Sequence, residues 1–304
     1  MRLLFFGSSV FSLSVLEALH KNHRVIGVVT QPDRPKGRGR RIAPTVVKLF
    51  AQKEGLFVLD PENLDQKVLE TLKGLLPDII VVAAYGKILP SEYLKLAPLG
   101  AINVHPSLLP KYRGPSPIQW VLLKGEKETG VTTFLMDEGL DSGPILLQEK
   151  LPIQDEETYS SLLEKLSHLA ARLTLKTLEE MGKGTLIPIP QDHQKACYTK
   201  KIDRSLALIN WNRPAKEVWN KVRALEGWPC AYTFWQGKLL KIWRASLGEG
   251  RGEPGTIIGL KEGIEVACSE GSLIIKELQL EGGKRMGSSE FLRGHRLDLG
   301  ERVG

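Results

Sequence analysis

The feature that most restricts the fold is a series of short strand-like runs in the first half of the chain, separated by segments with apolar residues at helical spacing. The runs are Leu3–Phe6, Val25–Val29, Asp78–Ala84, Ala101–Val104 and Val131–Met136, and the helical segments include Phe11–Leu19 and Thr45–Gln52. Because the runs are continuously apolar, both faces of each strand are expected to be buried, as in a mostly parallel sheet between helices. We therefore predict a doubly wound, Rossmann-like α/β fold with a ligand crevice at the carboxyl ends of its strands.

The pattern changes in the second half, after a long predicted helix at Tyr159–Met181 and a polar stretch. A helix at Pro214–Leu225 is followed by five short strand-like runs with glycine-rich turns: Ala231–Trp235, Lys238–Trp243, Thr256–Ile258, Ile264–Ala267 and Leu273–Leu280. Such runs favour a small barrel or sandwich over a βαβ unit. The 304 residues suit two domains. We predict a first domain at 1–188, a linker at 189–206 and a second domain at 207–304.

Charge and composition restrict the possible binding partners of the protein and its cellular compartment. The net charge of +7 leaves nucleic acid, an anionic membrane surface or an acidic substrate open. Residues 195–244 contain eleven Lys and Arg residues but only three Asp and Glu residues, and they also contain five of the six tryptophans. This combination is typical of a nucleic-acid-binding surface, but a tryptophan-rich core with a basic exterior would have the same composition. No apolar run approaches the ~20 residues of a membrane-spanning helix. The 3 cysteines form no disulfide framework or metal motif, which predicts a cytoplasmic protein without a metal.

A cation-rich segment, QPDRPKGRGRR at residues 31–41, directly follows the second predicted strand. Its proline and glycine content excludes a helix or a central strand, so we expect an exposed loop. Its cations are Arg34, Lys36, Arg38, Arg40 and Arg41. A solvated loop is one interpretation, and contact with a phosphate backbone beside the crevice is the other.

The residues best suited to catalysis lie at the end of the fourth run. Asn103 and His105 are two residues apart there, so their side chains should lie on one face of the strand. An amide donor and an imidazole aimed at one point suit acyl transfer, with oxyanion stabilisation by the first and proton transfer by the second. Asp141, in the turn after the next run, could orient the imidazole. A structural histidine and a turn-forming aspartate are the alternatives.

The turn Gly7-Ser8-Ser9 lacks G-x-G-x-x-G, which argues against a nicotinamide cofactor.

Several segments together resemble the methionyl-tRNA formyltransferase family. They are QPDRPKGRGRR, VVAAYGKILP at 81–90, INVHPSLLPKYRG at 102–114, GVTTFLMDEGLDSG at 130–143, YTKKI at 198–202, RALEGWP at 223–229 and KIWRA at 241–245. They span nearly the whole chain in order. N-x-H-x-S-L-L-P with a downstream aspartate is shared with other formyltetrahydrofolate-using enzymes, whereas the cationic segment and the basic second domain narrow the resemblance to the tRNA-specific family.

The resemblance implies formyl transfer from 10-formyltetrahydrofolate to the α-amino group of methionyl initiator tRNA, with an OB-like second domain along the tRNA. It implies catalytic roles for Asn103, His105 and Asp141. It implies folate contacts by Ser107, Leu108, Leu109, Pro110 and Ile88, and tRNA contacts by the five cations of 31–41 and by Lys201. Departures at Gly7-Ser8-Ser9 and Pro106 leave any ligand contact there open. We expect a monomer without membrane attachment.

Two other functions remain open from the sequence. A formyltransferase acting on a small amine, either glycinamide ribonucleotide or an amino-sugar nucleotide, would share the Asn-x-His core but would not need the cationic segment. A non-catalytic RNA-binding protein would not need Asn103, His105 and Asp141 together.

Overall fold

A computed structural model describes residues 1–36 and 41–304, which divide into two compact units. The first unit comprises Met1–Gly114, Glu128–Pro152 and Leu163–Tyr198, and the second comprises Pro115–Lys127, Ile153–Leu162 and Thr199–Gly304. The predicted domain boundaries at 188 and 206 stay a prediction.

The first unit is built on a seven-stranded sheet. Its strands, with those of a small hairpin, are in chain order β1 (Arg2–Gly7), β2 (Arg24–Val29), β3 (Arg34–Lys36), β4 (Arg41–Ala43), β5 (Val58–Leu59), β6 (Ile79–Ala83), β7 (Ala101–His105), β8 (Glu128–Leu135) and β9 (Ile145–Pro152). The sheet order is β5-β2-β1-β6-β7-β8-β9, and β3 pairs with β4 apart from it. The first five strands of this order are parallel to one another. At one side of the sheet, β8 pairs antiparallel with β7, and β9 pairs antiparallel with β8.

Helices alternate with these strands, as the spacing of apolar residues predicts. They are α1 (Val10–Asn22), α2 (Val46–Lys53), α3 (Gln66–Gly74), α4 (Ser91–Leu94), α5 (Pro117–Leu123) and α6 (Tyr159–Lys183), of which α5 belongs to the second unit. Serine, threonine and aspartate side chains cap three of the N-termini: Ser9 for α1, Thr45 for α2 and Asp65 for α3. Each side-chain oxygen accepts a backbone N–H that the helix itself leaves unpaired.

Both faces of the central strands are buried. Leu4 and Phe6 of β1 pack in one core cluster with residues of α3 and α4. Leu3 and Phe5 alternate with them, so they point to the opposite face, and they are equally inaccessible to solvent. Burial on both faces explains why the runs are continuously apolar, and it confirms the predicted doubly wound architecture.

The cationic segment differs in part from its prediction. β3 and β4 form an antiparallel hairpin in which Arg34 lies opposite Ala43 and Pro35 lies opposite Ile42. A two-stranded ribbon tolerates proline because it consists only of edges. The expectation of a loop throughout 31–41 is therefore wrong for Arg34–Lys36 and for Arg41, which begins β4. Residues 37–40, including Arg38 and Arg40, lie outside the described part of the chain.

The second unit contains an antiparallel sheet. Its elements are α7 (Ala215–Ala224), β10 (Tyr232–Trp235), β11 (Lys238–Gly248), β12 (Ile257–Gly259), β13 (Ile264–Ala267), β14 (Ser272–Leu280), β15 (Met286–Gly287) and α8 (Ser288–Gly294). The strand order is β10-β11-β14-β13-β12, with β15 beside β14. Trp211, Trp219 and Trp235 lie in its core. This curved antiparallel sheet agrees with the predicted OB-like domain, and these tryptophans pack inside it.

Candidate active site

Asn103 and His105 lie near the carboxyl end of β7, which pairs with parallel β6 on one side and antiparallel β8 on the other. Their two-residue spacing places both side chains on one face of the sheet. His105 is buried, with 6% of its surface exposed, and Asn103 is half-buried. The predicted pair therefore lies at the edge where α/β sheets bind their ligands.

Asp141 joins this pair. Asn103 Nδ2 lies 3.4 Å from Asp141 Oδ1. His105 Nδ1 lies 3.7 Å from Asp141 Oδ2, which is an ion-pair distance for the protonated ring and too long for a direct hydrogen bond. The same Oδ2 accepts a 2.7 Å hydrogen bond from the Gly114 N–H. The structure thus brings the predicted catalytic side chains of Asn103 and His105 together around the carboxylate of the third, Asp141.

The path of the chain to Asp141 is indirect. Because β8 runs antiparallel to β7, Leu135 at its carboxyl end lies beside Ile102, away from His105. Because Asp141 nevertheless lies near Asn103 and His105, residues 136–144 turn back toward the carboxyl end of β7. Asp141 takes a left-handed conformation (φ 50°), which aspartate tolerates better than most residues. Gly143 is needed for close approach, because a Cβ there would lie 1.8 Å from the Leu135 carbonyl oxygen.

The hydrogen bonding of His105 determines which ring nitrogen carries the hydrogen when the ring is neutral. Its Nε2 lies 2.9 Å from the carbonyl oxygen of Tyr112. Since a carbonyl oxygen only accepts, Nε2 carries a hydrogen and donates it. In the neutral ring the nitrogen with the free lone pair is then Nδ1, on the side of the ring that faces Asp141.

The predicted folate segment 107–110 forms a compact turn organised by Thr132 of β8. The Thr132 hydroxyl donates to the Ser107 carbonyl at 2.7 Å, and it accepts from the Leu109 N–H at 3.2 Å and from Gln148 Nε2 at 2.8 Å. Ser107 and Leu109 have buried side chains, whereas those of Leu108 and Pro110 are half-buried. The peptide bond between Leu109 and Pro110 is cis.

Ile88 lies in the segment after β6, at the same sheet edge as the turn after β7, because the two strands are parallel neighbours. Its side chain is 87% exposed. Tyr85, three residues earlier, is buried, and this burial raises the pKa of its phenol to about 12. Near neutral pH Tyr85 is therefore uncharged.

The turn Gly7-Ser8-Ser9 uses its polar groups within the protein. Ser8 Oγ donates to the Tyr85 carbonyl at 3.2 Å and accepts from the Gln31 N–H at 3.0 Å. Ser9 caps α1. These bonds account for the serines at this turn without a ligand.

The predicted tRNA-binding residues are spread over both units. Arg34 forms an exposed ion pair with Glu62, with Nη2 and Oε2 2.6 Å apart, and Arg41 is exposed at the start of β4. Lys201 is exposed in the second unit. Ion pairs this exposed contribute little to stability, so Arg34 can exchange Glu62 for a phosphate at small cost.

The base of the hairpin is held by Lys48 of α2. Its Nζ donates to Asp33 Oδ1 at 2.8 Å and to Asp60 Oδ2 at 2.7 Å. Hydrogen bonding to the two carboxylates, first Asp33, raises the pKa of the Lys48 ammonium. These contacts connect Asp33, near the start of the cationic segment, to Asp60, which directly follows β5 of the sheet.

Sequence reasoning missed two residues beside the site, Arg113 and Gln191. Arg113 is fully buried, and its Nη2 donates to Gln191 Oε1 at 2.7 Å. Arg113 lies shortly after the Asn-x-His signature in the sequence, and this position is a signal that could have identified it as part of the site. Nothing in the sequence pointed to Gln191, which is 50 residues away from Asp141 in the chain.

Two further features of the described residues concern metal-binding groups and membrane-spanning helices. In residues 1–36 and 41–304, no group of three or more His, Cys, Asp or Glu side chains is arranged to hold a metal ion. Within the same residues, the helices are too short or too polar to span a bilayer.

Comparisons with known proteins agree with the fold. The sequence profile of the family "Formyl transferase" matches residues 1–178, and that of "Formyl transferase, C-terminal domain" matches residues 201–296. Two units built on sheets of this kind and matched by these two profiles thus identify the chain as a formyl transferase.

A curated relative narrows the class. The methionyl-tRNA formyltransferase of Trichlorobacter lovleyi is 46% identical over 302 residues, which cover 98% of this chain and 96% of the relative. The chain therefore belongs to the methionyl-tRNA formyltransferase family. This confirms the resemblance that the motifs indicate.

Solved structures show the same fold. A variant of HypX from Aquifex aeolicus matches with a TM-score of 0.68 at 22% identity, over 98% of this chain and 50% of HypX, so the chain spans half the length of that protein. An N-formyltransferase from Helicobacter canadensis, solved with folinic acid and dTDP-3-aminofucose, matches with a TM-score of 0.69 at 19% identity, over 94% of this chain and all of that one.

The hydrogen bonds of Thr132 generate a stability prediction. Thr132→Val leaves the buried Ser107 carbonyl and Leu109 N–H without this partner and should cost about 1–3 kcal/mol in the free energy of unfolding. Thr129→Val is the matched control on the same strand, because the Thr129 hydroxyl is buried without a hydrogen-bond partner. Its removal should leave stability unchanged or raise it. Equal losses in chemical denaturation of the two variants would contradict the role of Thr132.

Proposed function

We propose that Asn103, His105 and Asp141 transfer the formyl group of 10-formyltetrahydrofolate to the α-amino group of methionyl initiator tRNA. Membership of the methionyl-tRNA formyltransferase family supports the reaction. The observation that supports the residues is the approach of Asn103 Nδ2 and His105 Nδ1 to one carboxylate at the edge of the sheet.

The reaction needs a neutral amine. A free α-amino group has a pKa of about 7.7–8, and esterification of the carboxyl group lowers it further, so little base strength is required of the enzyme. The amine nitrogen attacks the formyl carbon directly and forms the new C–N bond. The bond from the formyl carbon to N10 of the folate then breaks. The amine loses one proton and N10 gains one, so the protons balance.

His105 is suited to moving that proton. With Nε2 donating to the Tyr112 carbonyl, Nδ1 is the nitrogen that accepts the ammonium proton and returns it to N10. Asp141 Oδ2, at 3.7 Å, stabilises the ring while it is positively charged. The Gly114 N–H holds this carboxylate in place.

Asn103 is suited to stabilising the oxyanion that forms on the formyl group. An amide carries two N–H hydrogens, and one of those on Asn103 points to Asp141 Oδ1. We assign the second hydrogen to the oxyanion. Loss of one such donor typically lowers the rate about 10²–10³-fold.

The folate is proposed to bind beside these residues. Its contacts are assigned to Ser107, Leu108, Leu109, Pro110 and Ile88. The exposed apolar side chain of Ile88 and the half-buried side chains of Leu108 and Pro110 offer apolar surface at one sheet edge. Ser107 and Leu109 contribute through the shape of the turn, because their side chains are buried and Ser107 Oγ already donates to the Lys111 carbonyl.

The tRNA is proposed to contact the cationic segment and the second domain. Arg34, Lys36, Arg38, Arg40 and Arg41 would bind its phosphates, together with Lys201. We assign residues 1–188 to the catalytic domain, 189–206 to the linker and 207–304 to the tRNA-binding domain. The protein is proposed to act as a cytoplasmic monomer, without a metal or a nicotinamide cofactor.

Asn103→Ala and His105→Ala should each lower kcat about 100-fold or more while tRNA affinity changes little, because each removes a group used in the transition state. The assay combines 10-formyltetrahydrofolate with charged initiator tRNA and measures N-formylmethionine released from the tRNA. Glycinamide ribonucleotide and an amino-sugar nucleotide serve as competing acceptors. Near-normal turnover of either variant would refute its role, and formylation of a small amine instead of the tRNA would refute the substrate.

Arg38→Ala and Arg41→Ala should weaken tRNA binding and reduce its salt dependence by about one counterion each, because each removes a proposed phosphate contact. Single-turnover chemistry at saturating tRNA should persist. Arg172→Ala is the control, since Arg172 is exposed and pairs with Glu149 outside the cationic segment. The measurement is tRNA affinity over a salt series, and a slope unchanged from wild type would remove these arginines from the interface.

A further inference from the structure

A closed ring of hydrogen bonds connects two chain segments, one that contacts His105 and Asp141 and one that contains Asp141. The first segment is 112–114, whose backbone contacts His105 Nε2 through the Tyr112 carbonyl and Asp141 Oδ2 through the Gly114 N–H. Arg113 lies between these two contacts. The second segment is 141–143, which presents Asp141 itself. Gln191 bridges the two segments.

The bridge uses both ends of the Gln191 amide. Its Oε1 accepts from Arg113 Nε at 3.1 Å and from Nη2 at 2.7 Å. Its Nε2 donates to the carbonyl oxygens of Asp141 at 2.9 Å and Gly143 at 2.7 Å. Reversing the amide would place donors against the guanidinium and an oxygen against two carbonyls, so the network permits one orientation only.

Both members of the bridge are buried. Arg113 is 1% exposed and Gln191 is 6% exposed. Arg113 Nη1 also contacts His193 Nδ1 and the Tyr198 hydroxyl, each at 3.3 Å, and its backbone N–H donates to the Cys197 carbonyl at 2.9 Å. Burying a guanidinium is costly, and its hydrogen bonds offset that cost only in this geometry. The side chain is therefore a rigid support for segment 112–114.

Segment 141–143 needs such a support. Asp141 has φ 50°, a conformation that costs free energy for a residue other than glycine. The two bonds from Gln191 restrain this segment on both sides of Ser142. Without them the Asp141 backbone can relax toward a more favourable conformation, and its carboxylate would then leave the Gly114 N–H.

We propose that Arg113 and Gln191 are positioning residues for formyl transfer, which hold segments 112–114 and 141–143 so that His105 Nδ1 and the Asp141 carboxylate face each other. Neither side chain touches a reacting atom. This proposal rests on the proposed function of His105 and Asp141, and it assigns the precision of their placement to a pair of residues 78 positions apart in the chain.

Gln191→Glu separates positioning from stability. The glutamate keeps an acceptor for Arg113 and gains an ion pair, but it places an unprotonated oxygen against the carbonyls of Asp141 and Gly143. We expect kcat to fall about 100-fold, as a displacement of about 1 Å at a catalytic group can cause, while KM for both substrates stays within about twofold and Tm is retained. A wild-type kcat would overturn the proposal.

Arg113→Lys tests the other half, because an ammonium group cannot replace the two-pronged guanidinium. It should lower both kcat and Tm. Arg223→Lys is the matched control, since Arg223 is also a buried arginine, 7% exposed, and is held in the second unit by Asn220 Oδ1 at 3.0 Å and the Glu157 carbonyl at 3.1 Å. It should lower Tm with kcat within about twofold of wild type. An equal loss of kcat in both variants would contradict positioning.

A crystal structure of the Gln191→Glu protein tests the same point without turnover. We expect the Asp141 carboxylate to move away from the Gly114 N–H and His105 Nδ1, with segment 112–114 unchanged. An unmoved carboxylate would overturn the proposal. The wild-type rate of tRNA formylation reports separately on the proposed function, so failure of one is distinguishable from failure of the other.

Discussion

The structure of the site depends on the Asp141 carboxylate and the three groups around it. One oxygen accepts from the Gly114 N–H at 2.7 Å and faces His105 Nδ1 at 3.7 Å, and the other faces Asn103 Nδ2 at 3.4 Å. A half-buried negative charge aligns an amide and an imidazole that would otherwise rotate independently. Since formyl transfer needs an oxyanion donor and a proton carrier at one carbon, this alignment is the property that the rest of the fold supplies.

The sheet supplies Asn103 and His105 directly, whereas Asp141 is placed only through loops. β7 presents Asn103 and His105 because a strand places alternate residues on one face. Asp141 follows an antiparallel strand that ends beside Ile102, so its position depends on the folded-back loop and on the Gln191 bridge. Residues 191–198, which we predicted as part of the linker, supply Gln191, His193, Cys197 and Tyr198 to this support.

The sequence predicts the parts of the fold that depend on local pattern. Continuous apolar runs such as Asp78–Ala84 indicate strands buried on both faces, and β6 is found there as Ile79–Ala83. β9 (Ile145–Pro152) escapes this reasoning because, at the edge of the sheet, it buries only Leu146 and includes charged residues. The hairpin at Arg34–Lys36 was missed for a related reason, since a two-stranded ribbon needs no apolar face.

The candidate site divides in the same way. Asn103 and His105 are recognisable because one strand determines their relation. Asp141 is suggested by its position in the turn after the next run and is implied by the family resemblance. Gln191 is not recognisable, because its role consists of hydrogen bonds to backbone carbonyls and to a buried arginine, and neither leaves a pattern in the sequence. Tertiary contacts of this kind become visible only in a structure.

A double-mutant cycle on kcat tests the central claim most directly, with His105→Ala, Asp141→Asn and the combined variant. Asp141→Asn keeps an acceptor for the Gly114 N–H and removes the charge that faces His105 Nδ1. If the carboxylate acts through the imidazole as well as through Asn103, Asp141→Asn should lower kcat much less in the His105→Ala background than in the wild-type protein, because residues that act as one unit are strongly non-additive. Losses that multiply independently would show that Asp141 does not act through His105, and they would contradict the account.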